Sequence, residues 1–309
     1  MMRRENKMLG YEDIIKELGK GISVFPFKES KIKGNALNLS VSEYAWSLKA
    51  GEVWVNEKGE FFSKKPDRGT HIKYIIEEKH SAVIEHNNQK YVIVFPLSST
   101  LIETQEVISV SNRIGGTYNS KVSLVSKGAC NIGTYLEPNY RGHSLVTIQN
   151  LSENILVLCV GDTFVAITFF YLKTAVPKSL LGALSGRFEI LVEGNINVSR
   201  EAKNYLSEQW KNSSDEIRKR MEQSKEFIRF IENEKKRKYK KALGYLNKRN
   251  IGIILLAVAF FSLTYYLAYR TDSLYGNTIW RDRFWNVGCS GIMVTILIFF
   301  LQFLKNDSD

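Results

Sequence analysis

Glu137, Tyr140 and Arg141 fall in Tyr135-Leu-Glu-Pro-Asn-Tyr-Arg-Gly142, which sets an acid, a phenol and a guanidinium around a chain reversal. Pro138-Asn139 and Arg141-Gly142 read as tight turns, and the apolar, β-branched runs beside them read as short strands. The segments Ser144-Leu-Val-Thr-Ile-Gln-Asn150 and Val160-Gly-Asp-Thr-Phe-Val-Ala-Ile-Thr-Phe169 place a second hairpin behind the first. A ligand or catalytic site can sit on such a turn. Metal chemistry is not expected. Cys130, Cys159 and Cys289 are too scattered for a Cys-x-x-Cys site, and His71, His80, His86 and His143 lack ligand spacing. An odd cysteine count also suits a reducing compartment.

Stepping outward from the turn, the spacing of Ile14, Ile15 and Leu18 predicts a helix from Tyr11, with Glu12 and Asp13 in its first turn and Gly19 and Gly21 ending it. From Ile22 to about Tyr171 short β-rich runs alternate with turn residues. They include Val53–Val55, His71–Ile76, Tyr91–Phe95 and Glu106–Val110. So many short strands imply a sandwich or closed barrel, which avoids open edges. Ser179–Val198 gives no assignment. Ser199 to about Arg249 holds no proline and is rich in Glu, Lys, Arg and Gln, so it should be helical with a break at Asn212. Ser213 and Glu216 fit a capping box at the restart. Ile217, Met221, Ile228 and Ile231 form an apolar stripe, which either covers the helix's own domain or packs on a copy of itself.

The order of acid, turn, Tyr-Arg-Gly, strand, Asn, strand and Gly-Asp resembles the core of the dUTPase and dCTP deaminase superfamily. Upstream, Asp13-Ile-Ile-Lys-Glu-Leu18, Val24-Phe-Pro-Phe27 and Gly34-Asn-Ala-Leu-Asn-Leu-Ser40 follow the order of a dCTP deaminase N-terminus. The resemblance spans roughly residues 1–170. It implies a mainly β, distorted barrel or jelly roll that binds nucleotides, usually as a homotrimer with sites between subunits. By this resemblance Ser120, Lys121 and Ser123, in Ser120-Lys-Val-Ser-Leu124, match a phosphate-binding Gly-Arg-Ser-Ser/Gly-Leu motif. In such motifs hydroxyls and backbone N–H groups cradle phosphate while a cation adds charge. Tyr135, Glu137 and Arg141 join them as nucleotide-binding candidates, and Glu137 stands where a dUTPase carries the Asp that activates water. Residue by residue, Arg141 and Asp162 also read as structural, one fixing the turn and the other the last hairpin.

The departures from the family argue against catalysis. Lys121 lacks the bidentate fork of Arg, Val122 replaces a phosphate-binding serine, and Glu137 is one methylene longer than Asp. A shift of ~1 Å can cost on the order of a hundredfold in rate. Thr147, in Leu145-Val-Thr-Ile-Gln149, stands where a deaminase has its proton-shuttling Glu. Asn38-Leu-Ser40 replaces Asp-x-Arg-Leu and loses both charges. The expected protein is therefore no enzyme. Glu137 is the catalytic candidate if it is one, and no cofactor beyond a nucleotide ligand is implied.

Two later segments carry no charge, Ile251–Tyr269 and Phe284–Leu304. About 20 helical residues cover a ~30 Å hydrocarbon core, so each is long enough to span. Tyr265, Tyr266, Tyr269, Trp280 and Trp285 cluster beside the connecting loop like an interfacial belt. Much of the net charge of +11 lies in Lys235–Lys238, Lys240, Lys241, Lys248 and Arg249. That cluster, with Lys305, places both ends in the cytoplasm and gives no reason to expect a nucleic-acid partner. No apolar signal segment follows Met1. The expected organisation is a nucleotide-binding β domain over residues 1–198, a basic helical stalk over 199–250 and a transmembrane hairpin over 251–309 in a bacterial inner membrane. This architecture resembles the two-transmembrane, β-strand-rich effectors of bacterial antiviral systems that use cyclic oligonucleotides, including the Panoptes type. The resemblance implies a cyclic dinucleotide ligand that controls membrane disruption, and a nucleotide cyclase encoded nearby. The alternative is a membrane-tethered dUTPase-like hydrolase.

Overall fold

The computed structural model of the chain describes residues 7–177, 187–245 and scattered positions between 259 and 282. They fall in two compact units, Met1–Ile231 and Glu232–Asp309. The first is mainly β, as its alternating runs require. Helix α1 (Tyr11–Glu17) buries Ile14 and Ile15. Fifteen strands follow: β1 (Ile22–Phe25), β2 (Ile32–Lys33), β3 (Ala36–Ser47), β4 (Gly51–Asn56), β5 (Phe61–Phe62), β6 (His71–Ile76), β7 (Val83–His86), β8 (Gln89–Val94), β9 (Ser98–Val110), β10 (Ile114–Ser120), β11 (Ala129–Asn131), β12 (Tyr135–Leu136), β13 (Arg141–Asn150), β14 (Leu156–Cys159) and β15 (Thr163–Tyr171). A four-residue helix, α2 (Val122–Val125), interrupts them after β10.

Nine strands form one antiparallel sheet in the order β11-β13-β9-β3-β15-β10-β12, with β1 on β9 and β2 on β3. Strand β3 pairs with β15 through Ala36–Ser40 and with β9 through Val41–Ser47, and the register shifts between Val41 and Ala45. Such an irregularity bends a strand, and here it lets β3 join two layers around a shared core. Leu39, Val41, Ile102, Ile108, Val165, Ile167 and Phe169 are fully buried in that core. Gly116 lets β10 approach β15 closely, since a Cβ there would lie 2.7 Å from the Thr168 carbonyl. Two small sheets, β14-β8-β7 and β5-β4-β6, contribute to a second cluster around Val53, Ile84, Ile93 and Phe95.

The helical region packs onto this body. Helix α3 (Phe188–Glu193) lies in the segment that the sequence leaves unassigned. It and α4 (Arg200–Leu206) bury Leu191, Ala202 and Leu206 around Trp46. A 3-10 turn at Gln209–Asn212 makes the expected break. Helix α5 (Ser214–Gln223) then starts with the Ser213 hydroxyl accepting from Glu216 N at 3.4 Å. Ile217 and Met221 are fully buried, and Val24 N donates to Met221 Sδ at 3.3 Å, so α5 covers its own domain. Of the rest of the expected stripe, Ile231 packs against the core but Ile228 does not. Helix α6 (Lys225–Tyr245) begins after a second break at Ser224, which leaves Ile228 46% exposed. Phe227 and Phe230 pack on Phe27 instead.

Among the described residues no helix is long and apolar enough to cross a membrane. Most of the two apolar segments, 251–269 and 284–304, lies outside the described residues, as do Trp280 and Trp285.

Candidate functional site

The register of β10 with β12 aligns Tyr135 and Lys121, two of the candidate residues, along one outer face. Thr117 pairs with Tyr135, and the side chain of Tyr135 is 74% exposed. Thr117 also pairs with Thr168 of β15, and their hydroxyls are 2.9 Å apart. Asn119, two residues along and therefore on the same face, donates to Thr168 Oγ1 at 3.1 Å. Lys121 continues the row beyond the strand end, in extended conformation, and its ammonium donates to Thr163 Oγ1. At ~3.4 Å per residue, Lys121 lies ~14 Å from the level of Tyr135. Glu137 is exposed at the opposite end, two residues past Tyr135, and so ~20 Å from Lys121.

Not every expected residue joins this face. The Ser120 hydroxyl bonds Asn131 Oδ1 and accepts from Asn131 N at 2.7 Å, so it pins β11 to β10. Ser123 is exposed on α2, two residues beyond Lys121. Arg141 pairs with Ser109 on β9 and turns into a separate cavity. Its Nε is buried without a hydrogen-bond partner, so its side chain does not tie the turn. Tyr140 holds the turn instead: its N–H donates to the Glu137 carbonyl at 3.1 Å and its hydroxyl to the His143 carbonyl. Asp162 accepts through its carbonyl from Val41 N at 2.9 Å, in the last hairpin. Thr147 pairs with Leu101.

Two buried polar clusters lie outside the motifs of the sequence. Lys31 and Glu106 form an ion pair, with Lys31 Nζ donating to Ser40 Oγ at 2.7 Å and Ser40 N to Glu106 Oε2 at 2.7 Å. Asn38 Nδ2 donates to the Lys31 carbonyl at 3.0 Å. The ion pair thus lies against the Asn38-Leu-Ser40 segment. The second cluster is Glu103, His143, Tyr205 and Lys211, between β9, β13, the end of α4 and the 3-10 turn after it. Neither carboxylate oxygen of Glu103 has a hydrogen-bond partner, and burial raises its pKa to about 8 against the pull of Lys211. His143 donates from Nδ1 to the Thr104 carbonyl at 2.8 Å, and burial next to Lys211 lowers its pKa to about 3. Lys211 Nζ lies 3.0 Å from the Tyr205 ring centroid, and burial lowers its pKa to about 8. The signal available in the sequence was Glu103 and Glu106 between the apolar pairs Leu101-Ile102 and Val107-Ile108 of one strand.

No family model matches the sequence, and no curated protein does. Among solved structures, the chain is similar to the 2'-deoxycytidine 5'-triphosphate deaminase from Agrobacterium tumefaciens at 12% identity, with a TM-score of 0.37. That match covers 54% of this chain and spans 47% of the deaminase, about half its length. The EIAV dUTPase matches at 15% identity over 34% of this chain and 92% of its own, with a TM-score of 0.26. The dUTPase of Staphylococcus bacteriophage 80alpha matches at 12% over 35% and 94%, also at 0.26.

Chemically, the β10–β12 face offers an aromatic platform, hydroxyl and amide groups, and a cation in line. The buried cluster offers no access to solvent for a reacting group, since Glu103 and His143 are both fully buried. Among the described residues no group of His, Cys, Asp and Glu is placed to hold a metal.

Proposed function

We propose that this chain is a membrane-anchored, non-catalytic nucleotide sensor whose β domain binds a nucleotide on the β10–β12 face. The row Tyr135, Thr117, Asn119 and Lys121 carries the reading. Its ~14 Å length suits a ligand with a base at Tyr135 and a phosphate at Lys121, the first by stacking and the second by charge. A phosphate at Lys121 is ~20 Å from Glu137 of the same chain, too far for a general base. That separation favours sensing over hydrolysis. The ligand we favour is a cyclic dinucleotide, supplied by a cyclase encoded nearby, and the assembly a homotrimer.

The output rests on the uncharged segments 251–269 and 284–304, which we assign to a hairpin in the inner membrane with both chain ends in the cytoplasm. One hairpin encloses no lumen, so disruption requires several chains, whose arrangement the nucleotide would set. The exposed Glu137 supports the second reading, a dUTPase-like hydrolase, if a neighbouring subunit brings it to the phosphate.

The test is binding and turnover of dUTP, dCTP and cyclic dinucleotides by the full chain. Lys121→Ala should weaken nucleotide binding roughly ten- to a hundredfold, with no turnover in either protein. Hydrolysis of dUTP near ~1 s⁻¹ that is lost in Glu137→Gln would establish the hydrolase instead.

A further inference from the structure

A cavity of about 350 Å³ lies between the body of the β domain and the first turn of α5, away from the β10–β12 face. The start of β13 supplies Arg141 to its wall, α5 supplies Asp215 and Arg218, and the turn after α1 supplies Lys20. Ser109 and Ser111 add hydroxyls from the end of β9. Three cations against one carboxylate leave two positive charges around the space.

These cations differ in their engagement. Arg218 donates to Asp215 Oδ1 at 2.9 Å, within its own helix. Arg141 Nε is buried without a hydrogen-bond partner. A guanidinium carries five donors in a planar fork, and withdrawing one from water is costly unless an acceptor replaces that water. The start of a helix adds partial positive charge, since Ser214 and Asp215 of α5 also line the wall.

We propose that this cavity is a binding site for a phosphomonoester, its dianionic phosphate lying between Arg141 and Arg218. Two net charges match a phosphate dianion, and a guanidinium fork fits its oxygens. The volume leaves room for the organic part of a small metabolite beside the phosphate. On binding, Arg218 would exchange the Asp215 carboxylate for the phosphate. The ligand would then tie α5 to the β domain through β13. The site is independent of the nucleotide reading of the β10–β12 face, with which it shares no residue.

The test is titration of the full chain, in mild detergent and at constant ionic strength, with inorganic phosphate as the probe. Calorimetry and ³¹P line broadening supply the affinity. Arg141→Gln and Arg218→Gln should each weaken phosphate binding about ten- to a hundredfold. Asp215→Asn should tighten it, because the competing carboxylate is gone, and Lys73→Ala, in the separate β5-β4-β6 sheet, should leave it unchanged. If Arg141→Gln fails to fold, Arg218→Gln, on the surface of α5, still decides. Saturable phosphate binding that survives both arginine variants overturns the site, as does an absence of binding by the wild-type chain. Loss of phosphate binding in Lys121→Ala alone would move the phosphate to the β10–β12 face and support the nucleotide reading while refuting this one.

Discussion

Substituting Glu103 by Gln should make the β domain more stable at mildly alkaline pH, because it removes an ionisable group from the protein's core. The raised pKa means that the folded state keeps the Glu103 proton that the unfolded chain gives up. Its stabilising contribution is complete below pH 4.5 and is lost as pH rises to about 8. A shift of that size corresponds to about 5 kcal/mol as an upper figure, comparable with the whole stability of many domains. Two neighbours have the opposite sign. His143, held neutral down to about pH 3, contributes stability above 6.5 that is lost as pH falls towards 3. Lys211, with its pKa lowered from 10.5 to about 8, contributes stability at high pH that is lost as pH falls from 10.5 to 8. Their combination predicts stability that rises from pH 3 to 4.5, holds level to 6.5, falls to a minimum near 8 and then recovers. The assay is urea unfolding followed by tryptophan fluorescence, with Trp46 buried beside the cluster. Glu103→Gln should match the wild type near pH 4 and exceed it by several kcal/mol at pH 8. Parallel profiles of the two proteins would refute the assignment of the minimum to Glu103.

Lys31→Met leaves Glu106 buried without its cation and should cost about 3 to 5 kcal/mol, read as a lowered unfolding midpoint. Met221→Ala should cost about 2 to 5 kcal/mol by opening a cavity between α5 and β1, whereas Ile228→Ala, on the exposed face of α6, should change stability by less than about 0.5 kcal/mol. Equal effects of these last two would mean that the helical phase is not reset at Ser224. Tyr135→Ala should weaken nucleotide binding by about 1 to 3 kcal/mol without altering the unfolding midpoint, and isothermal titration would measure it.

The sequence by itself determined the features that depend on near neighbours. Helix α1, the strand runs, the break at Gln209–Asn212 and the cap at Ser213 all follow from spacing and turn chemistry within a few residues. The alignment of Tyr135 with Thr117 and Lys121 needed the pairing of β10 with β12, and pairing register is a property of two strands together. Ser120 looked like a phosphate ligand as a residue type, yet its hydroxyl is engaged by Asn131, which β11 brings across. Ile228 kept the helical spacing of Ile217 and Met221, but the break at Ser224 rotated it outward and Phe227 and Phe230 inward. Glu103, His143 and Lys211 lie far apart along the chain, and only folding joins them. Their shifted protonation has one physical cause, the removal of water from all three at once, and no residue type or local spacing carries that information.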